Sequence, residues 1–273
     1  MLCRIYFPSA ILRPVISHYQ IIELDNSSST LPCTIPAGTC ALTIMLNNCA
    51  PDFYCGDKET SPGNIFLSGY LLKARYLKSQ GKIRCLMVVF NPLGAGMLFH
   101  ISQKEMIDQF VPLDALLGEA AKSLSVALTN VHQGYQLVKR FEQFAIGFLG
   151  GLTFEKSVCS AAIPLIVGAK GNIRVETITD QLCVSTRRLD RDFLHLLGVT
   201  PKQYIWMTRL HYAYIMMMQG ADCSMFDIVV QLGYYDQAHF INDLRKYAEE
   251  SPLELIHNFP QSITFQYPQL LVN

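Results

Sequence analysis

The stretch LGYYDQAHFINDLRKYAEESPLELI, residues 232–256, decides how the chain is read. With the preceding IVVQ it repeats the form of ITDQLCVSTRRLDRDFLHLLGVTPKQYI, residues 178–205: Ile178, Gln181 and Leu182 match Ile228, Gln231 and Leu232 at an offset of 50. After one residue inserted in the turn, Leu189, Asp192, Phe193, Thr200, Pro201 and Ile205 match Phe240, Asp243, Leu244, Ser251, Pro252 and Ile256 at an offset of 51. Self-similarity of this kind marks a duplicated structural unit.

Each unit reads as a short helix, a tight turn, a second helix and the start of a third. Gly233 signals the turn in the second copy, and Cys183 holds the nearby place in the first. Thr200-Pro201-Lys202-Gln203 and Ser251-Pro252-Leu253-Glu254 each put a hydroxyl at the N-cap, proline at the first helical position and an amide or acid at the third, a capping box. The helix opened by Pro201 is expected to run to about Gln219, a rod of roughly 28 Å at 1.5 Å per residue. Two helix-turn-helix units on such a rod suit successive major-groove faces, which lie about 34 Å apart.

Helical phase predicts the reading faces. Leu189, Phe193 and Leu196 turn inward, which leaves Arg187, Arg191 and Leu194 outward and Asp190 on the flank. In the second unit Phe240, Leu244 and Tyr247 turn inward, Ala238, Asn242 and Arg245 outward, with Ile241 on the flank and Gln237 in the first turn. Arginine can bind guanine O6 and N7 through two hydrogen bonds, Gln or Asn can pair with adenine, and Ile can touch a thymine methyl. Ser185 at a helix start is expected to favour a phosphate, whereas Asp236 caps its own helix. Lys202, Arg245 and Lys246 are the remaining phosphate candidates.

The first half differs in periodicity. IFLSGYLL, ARYL and KIRCLMVVF, with a turn signal at Ser79-Gln80-Gly81, predict a β-hairpin within residues 65–90. Leu113, Leu116, Leu117, Ala120, Leu124 and Leu128 predict one amphipathic helix; Val131, Tyr135, Val138, Phe141, Ala145 and Phe148 predict a second. Tyr135, Val138, Phe141, Ala145 and Phe148 form a candidate dimer or interdomain face, with packing on their own barrel the alternative. The fold class is therefore α+β with two domains. Residues 1–150 form a small β-rich domain with trailing helices, residues 155–259 an all-α domain, and residues 260–273 a tail.

The residues of 155–259 resemble the DNA-binding domain of the AraC/XylS family of bacterial-type transcription regulators. VSTRRLDRDFLHLLGVTPKQYI, RLHYAYIMMM and LGYYDQAHFINDLRKYAEESPLELI carry the resemblance. YFPSAILRPVISHY, FNPLGAGMLFHI and FVPLDALLG resemble more loosely the sensor half of some such regulators, which implies a cupin-like barrel followed by helices. The resemblance implies base-proximal roles for Arg187, Asp190, Arg191, Gln237, Ala238, Ile241 and Asn242. Asn242, Leu244 and Val229 depart from the Arg or Lys, Phe and Ala common in the family, and Val229 adds bulk between the helices of the second unit. The implied partners are double-stranded DNA at a promoter or operator, a small-molecule effector, a second copy of the chain, and RNA polymerase for an activator.

Composition limits the other classes. The 273 residues are 50% hydrophobic and 16% charged, which excludes a mainly disordered chain. The most apolar run, residues 144–154, is about half a bilayer span, and the N-terminus lacks a signal-peptide pattern, so a soluble cytoplasmic protein is expected. Nine cysteines read as reduced thiols; a metal or redox site from Cys33, Cys40, Cys49 and Cys55 is the sharper alternative. GxSxG, HExxH, Walker A and GxGxxG motifs are absent, and His18, His100 and His132 are not closely spaced, so no catalytic residue, metal site or cofactor is expected. Two rival readings are a helical interaction module that has lost DNA binding and a ligand- or metal-binding cupin-like protein.

Net charge sharpens the DNA reading. The chain balances 22 basic against 22 acidic residues, and within 155–259 ten basic against twelve acidic leave −2. Affinity for DNA must then come from local placement, with weak non-specific binding.

Overall fold

The computed structural model describes residues 2–26, 31–32, 38–47, 51–55, 58–78, 81–128, 131–150, 157–218 and 224–248. The second capping box at Ser251, the 260–273 tail, and Cys33, Cys49 and Cys223 lie outside them.

Among the described residues, ten strands form two antiparallel sheets in the N-terminal region. The first contains β1 (Leu2–Tyr6), β2 (Ile16–Asn26), β4 (Ala41–Met45), β7 (Ile65–Ser68), β9 (Gly81–Phe90) and β10 (Phe110–Pro112) in the order β1-β2-β9-β4-β7-β10. The second contains β3 (Leu31–Pro32), β5 (Asp52–Cys55), β6 (Lys58–Thr60) and β8 (Tyr76–Lys78) in the order β3-β8-β5-β6. Phe53 of β5 stacks on Phe110 at 4.1 Å and meets Phe66 edge-on at 5.4 Å, so aromatic rings join the sheets face to face.

The expected hairpin within residues 65–90 does not form. β8 belongs to the smaller sheet, while β9 lies between β2 and β4 in the larger one. β9 instead runs against β2 from Gly81↔Asn26 to Phe90↔Ile16, which buries Leu86, Val88 and Phe90 against the main core. The single helix expected through Leu113 and Leu128 is also divided, into α2 (Leu113–Leu117) and α3 (Glu119–Leu128), at Gly118 with φ 54°. The i, i+3, i+4 pattern continues across the break and so hides it.

α4 (Gly134–Ile146) lies on the larger sheet, with Phe141 edge-on to Tyr19 of β2 at 5.9 Å. Val138, Phe141 and Ala145 are buried and Phe148 packs against the same core, leaving Tyr135 as the exposed member of that stripe. Val138, Phe141 and Ala145 therefore cannot meet a second copy in this conformation: the stripe seals the chain's own sheet.

The helical region comprises α5 (Val158–Gly168), α6 (Val175–Leu182), α7 (Thr186–Leu196), α8 (Pro201–Met218), α9 (Met225–Gln231) and α10 (Gln237–Ala248). Apolar packing is continuous from the larger sheet through α5, α6 and α7 to Met207 of α8. A second cluster joins the rest of α8 to α9 and α10 and includes Ala74 from the N-terminal region. Ala74 N donates to Tyr247 O at 2.9 Å, and the Tyr70 ring meets Tyr204 edge-on at 6.4 Å. The N-terminal region thus touches both α8 and α10.

Candidate nucleic-acid interface

Local chemistry sets each helix end. Cys183 takes φ 53°, ψ 45° after α6, and Gly233 takes φ 67° between α9 and α10, matching the expected turns. Ser185 Oγ accepts from Arg188 N at 3.3 Å, and Asp236 Oδ1 accepts from His239 N at 2.7 Å. Both residues therefore cap their own helices; Ser185 was expected to differ from Asp236 in this respect and does not. Thr200 and Gln203 form the reciprocal box, with Gln203 N donating to Thr200 Oγ1 at 3.2 Å and Thr200 N to Gln203 Oε1 at 2.8 Å.

The inward residues lock these helices in rotation. Leu189, Phe193, Phe240, Leu244 and Tyr247 are buried, and Phe193 meets Tyr204 of α8 edge-on at 5.8 Å. Arg187, Arg191, Gln237, Ala238 and Asn242 are all exposed, while Asp190 and Ile241 are half-buried on the flanks. Lys202, Arg245 and Lys246 are exposed, Lys246 being tied to Asp243 at 3.0 Å. Val229 is buried beneath the second pair.

One contact escaped sequence reasoning. Arg209 of α8 donates through Nε and Nη2 to Gly171 O, at 3.0 and 2.8 Å, before α6; its guanidinium also lies 5.3 Å from the Tyr234 ring before α10. A Cβ on Gly233 would stand 2.1 Å from Asn172 Oδ1. The two helix pairs are therefore fastened to each other as well as to α8. Arg209 lies outside both copies of the repeat, which is why its role had no signal in the sequence.

Among the described residues no three His, Cys, Asp or Glu side chains come together as a metal group, and no helix is long and apolar enough to cross a membrane. Cys40 is buried, with its thiol pushed up to about 12 by desolvation.

Two helix-turn-helix units share one helix behind a two-sheet region. Residues 178–258 match the helix-turn-helix domain family, and residues 4–112 match a domain of unknown function, DUF6597. Residues 178–258 are thus a helix-turn-helix domain. An uncharacterized HTH-type transcriptional regulator of Haemophilus influenzae is 27% identical over 133 residues, 48% of this chain; the match spans 44% of that relative's length. The structure of ToxT from Vibrio cholerae superposes with a TM-score of 0.51 at 12% identity, covering 88% of this chain and 98% of ToxT. ToxT bound to (E)-4-(8-methylnaphthalen-1-yl)but-3-enoic acid gives 0.52 at 14% identity, covering 88% and 98%. These likenesses extend the shared fold over both regions.

Proposed function

We propose that the protein is a sequence-specific DNA-binding transcription regulator, with residues 155–259 as the reading domain and residues 1–150 as a sensor or dimerisation domain. The observation that carries this is the pair of helices α7 and α10, each sealed on one side by buried residues and exposing Arg187 and Arg191, or Gln237 and Asn242, on the other. In this reading Arg187 and Arg191 bind guanine edges or phosphates and supply most of the electrostatic affinity. Gln237, Ala238, Ile241 and Asn242 discriminate bases, Asp190 excludes some of them, and Ser185, Lys202, Arg245 and Lys246 hold the backbone. In this reading the chain responds to a small-molecule effector, by analogy with the ligand-bound ToxT structure, and the N-terminal region is its sensor. A second copy and RNA polymerase remain the candidate protein partners of an activator, in a cytoplasmic setting.

The test is selection and sequencing of bound genomic fragments, followed by titration of the enriched site across salt concentrations. Alanine at both Arg187 and Arg191 is expected to weaken binding and lower the salt slope by about two. Alanine at both Gln237 and Asn242 is expected to relax base preference, at about 1–3 kcal/mol per lost paired contact. Unchanged affinity for the first variant, with binding abolished in the second, would reverse the division of labour.

A further inference from the structure

An aromatic side chain stands at the leading end of α10, outside the set of base readers named above. Among the described residues Tyr235 is the most exposed large apolar side chain, at 92%. It immediately precedes Asp236, which caps α10 by accepting from His239 N. Recognition helices reach base edges with their N-terminal residues. In the regulator reading Tyr235 therefore stands at the end of α10 that enters the groove, two positions before Gln237.

Exposure alone does not single out an aromatic residue; the mounting of this one does. Tyr235 N donates to His239 Nδ1 at 3.3 Å, which ties its backbone to the first turn of α10. The preceding Tyr234 is buried, its ring 5.2 Å from Phe240 and edge-on to His239 at 5.3 Å, with the Arg209 guanidinium beside it. The backbone is thus fixed on both sides of Tyr235, and only the torsions of its own ring remain to be ordered on contact, a low entropy cost for a large contact area. The internal repeat supplies the comparison. Ser185 and Asp236 are matched caps, which puts Val184 at the place of Tyr235 in the first unit. Val184 is half-buried and its N donates to Thr179 O at 3.0 Å, so a solvent-facing aromatic is no requirement of such a turn. Of the two units, only the second carries one.

We propose that Tyr235 reads a thymine methyl in the major groove, at the edge of the half-site met by α10. The ring supplies apolar contact to a group that, among the bases, only thymine presents there. The hydroxyl stays in water. This assignment rests on the regulator reading and adds to it a base preference confined to one half-site.

Selection from a randomised duplex library by the full chain and by its Tyr235→Ala and Tyr235→Phe variants tests this. The parent is expected to enrich a thymine beside the positions whose preference Gln237→Ala relaxes. Tyr235→Ala is expected to lose that thymine and keep the rest of the site. Uracil in its place removes the methyl and keeps every hydrogen-bonding group; it should weaken the parent about fivefold and leave Tyr235→Ala unaltered. Tyr235→Phe should discriminate thymine from uracil as the parent does. Each variant is compared with itself on two duplexes, so the ratio does not depend on how much of it is folded. An equal uracil penalty in the parent and Tyr235→Ala, or its loss in Tyr235→Phe, overturns the proposal. A chain that enriches no sequence sinks the regulator reading and the role of Tyr235 with it. One that enriches a site which Tyr235→Ala enriches equally sinks that role alone.

Discussion

At the scale of single residues, Arg209 and Gly233 govern how the two helix pairs meet. Arg209→Lys keeps the charge but loses the forked donation to Gly171 O and the planar contact with Tyr234. A loss of about 1–2 kcal/mol in chemical denaturation is expected. Gly233→Ala combines a left-handed backbone, φ 67°, with a Cβ driven against Asn172, and a loss of about 1–3 kcal/mol is expected in the same measurement. His18 makes a pH-dependent contribution. It is fully buried, Gln20 Nε2 bonds its Nε2 at 2.9 Å, and desolvation lowers its pKa from 6.5 to about 4. Protonation is thus easier in the unfolded chain: the stability from neutral His18 is present above pH 6.5 and is lost as pH falls toward about 4. Denaturation midpoints should decline across that window in the parent and flatten in His18→Gln.

At the scale of elements, the helical repeat and the first-half strands were not equally legible. Caps, turns and inward residues of α6 to α10 depend on neighbours within about a turn, so Thr200, Cys183, Leu189 and Phe240 revealed them. Thr200→Ala should cost about 1 kcal/mol in thermal or chemical unfolding, since Gln203 N loses its cap. Strand partners depend on residues far apart: Ile16 of β2 pairs with Phe90 of β9, with six other strands between them in the described chain. Nothing local in KIRCLMVVF says that β9 joins β2 and β4 and leaves β8 to the other sheet. The stripe from Tyr135 to Phe148 was visible as apolar, but which surface it covers was decided by Tyr19 on β2.

At the scale of the whole molecule, the exposed polar faces of α7 and α10 were legible in the sequence, whereas the cavity beside α7, lined by Met97 and Leu194, was not. The N-terminal region is also tied to α8 and α10, through Tyr70 against Tyr204 and Ala74 against Tyr247. Tyr70→Ala would remove a buried ring and its bond to Pro92 O at 2.6 Å. It should lower overall stability by about 3–5 kcal/mol in denaturant titration.

The guanidinium clasp of Arg209 has a mechanical consequence for a bound duplex. α8 has 18 residues, a length of about 27 Å, against the roughly 34 Å between equivalent faces of straight B-DNA. If α8 sets the spacing of α7 and α10 in the proposed regulator, helix pairs fastened at Gly171 and Tyr234 would resist spreading, and the shortfall would pass to the DNA as curvature toward the protein. Sites with flexible pyrimidine–purine steps between the two contacted grooves would then be preferred at positions no side chain touches.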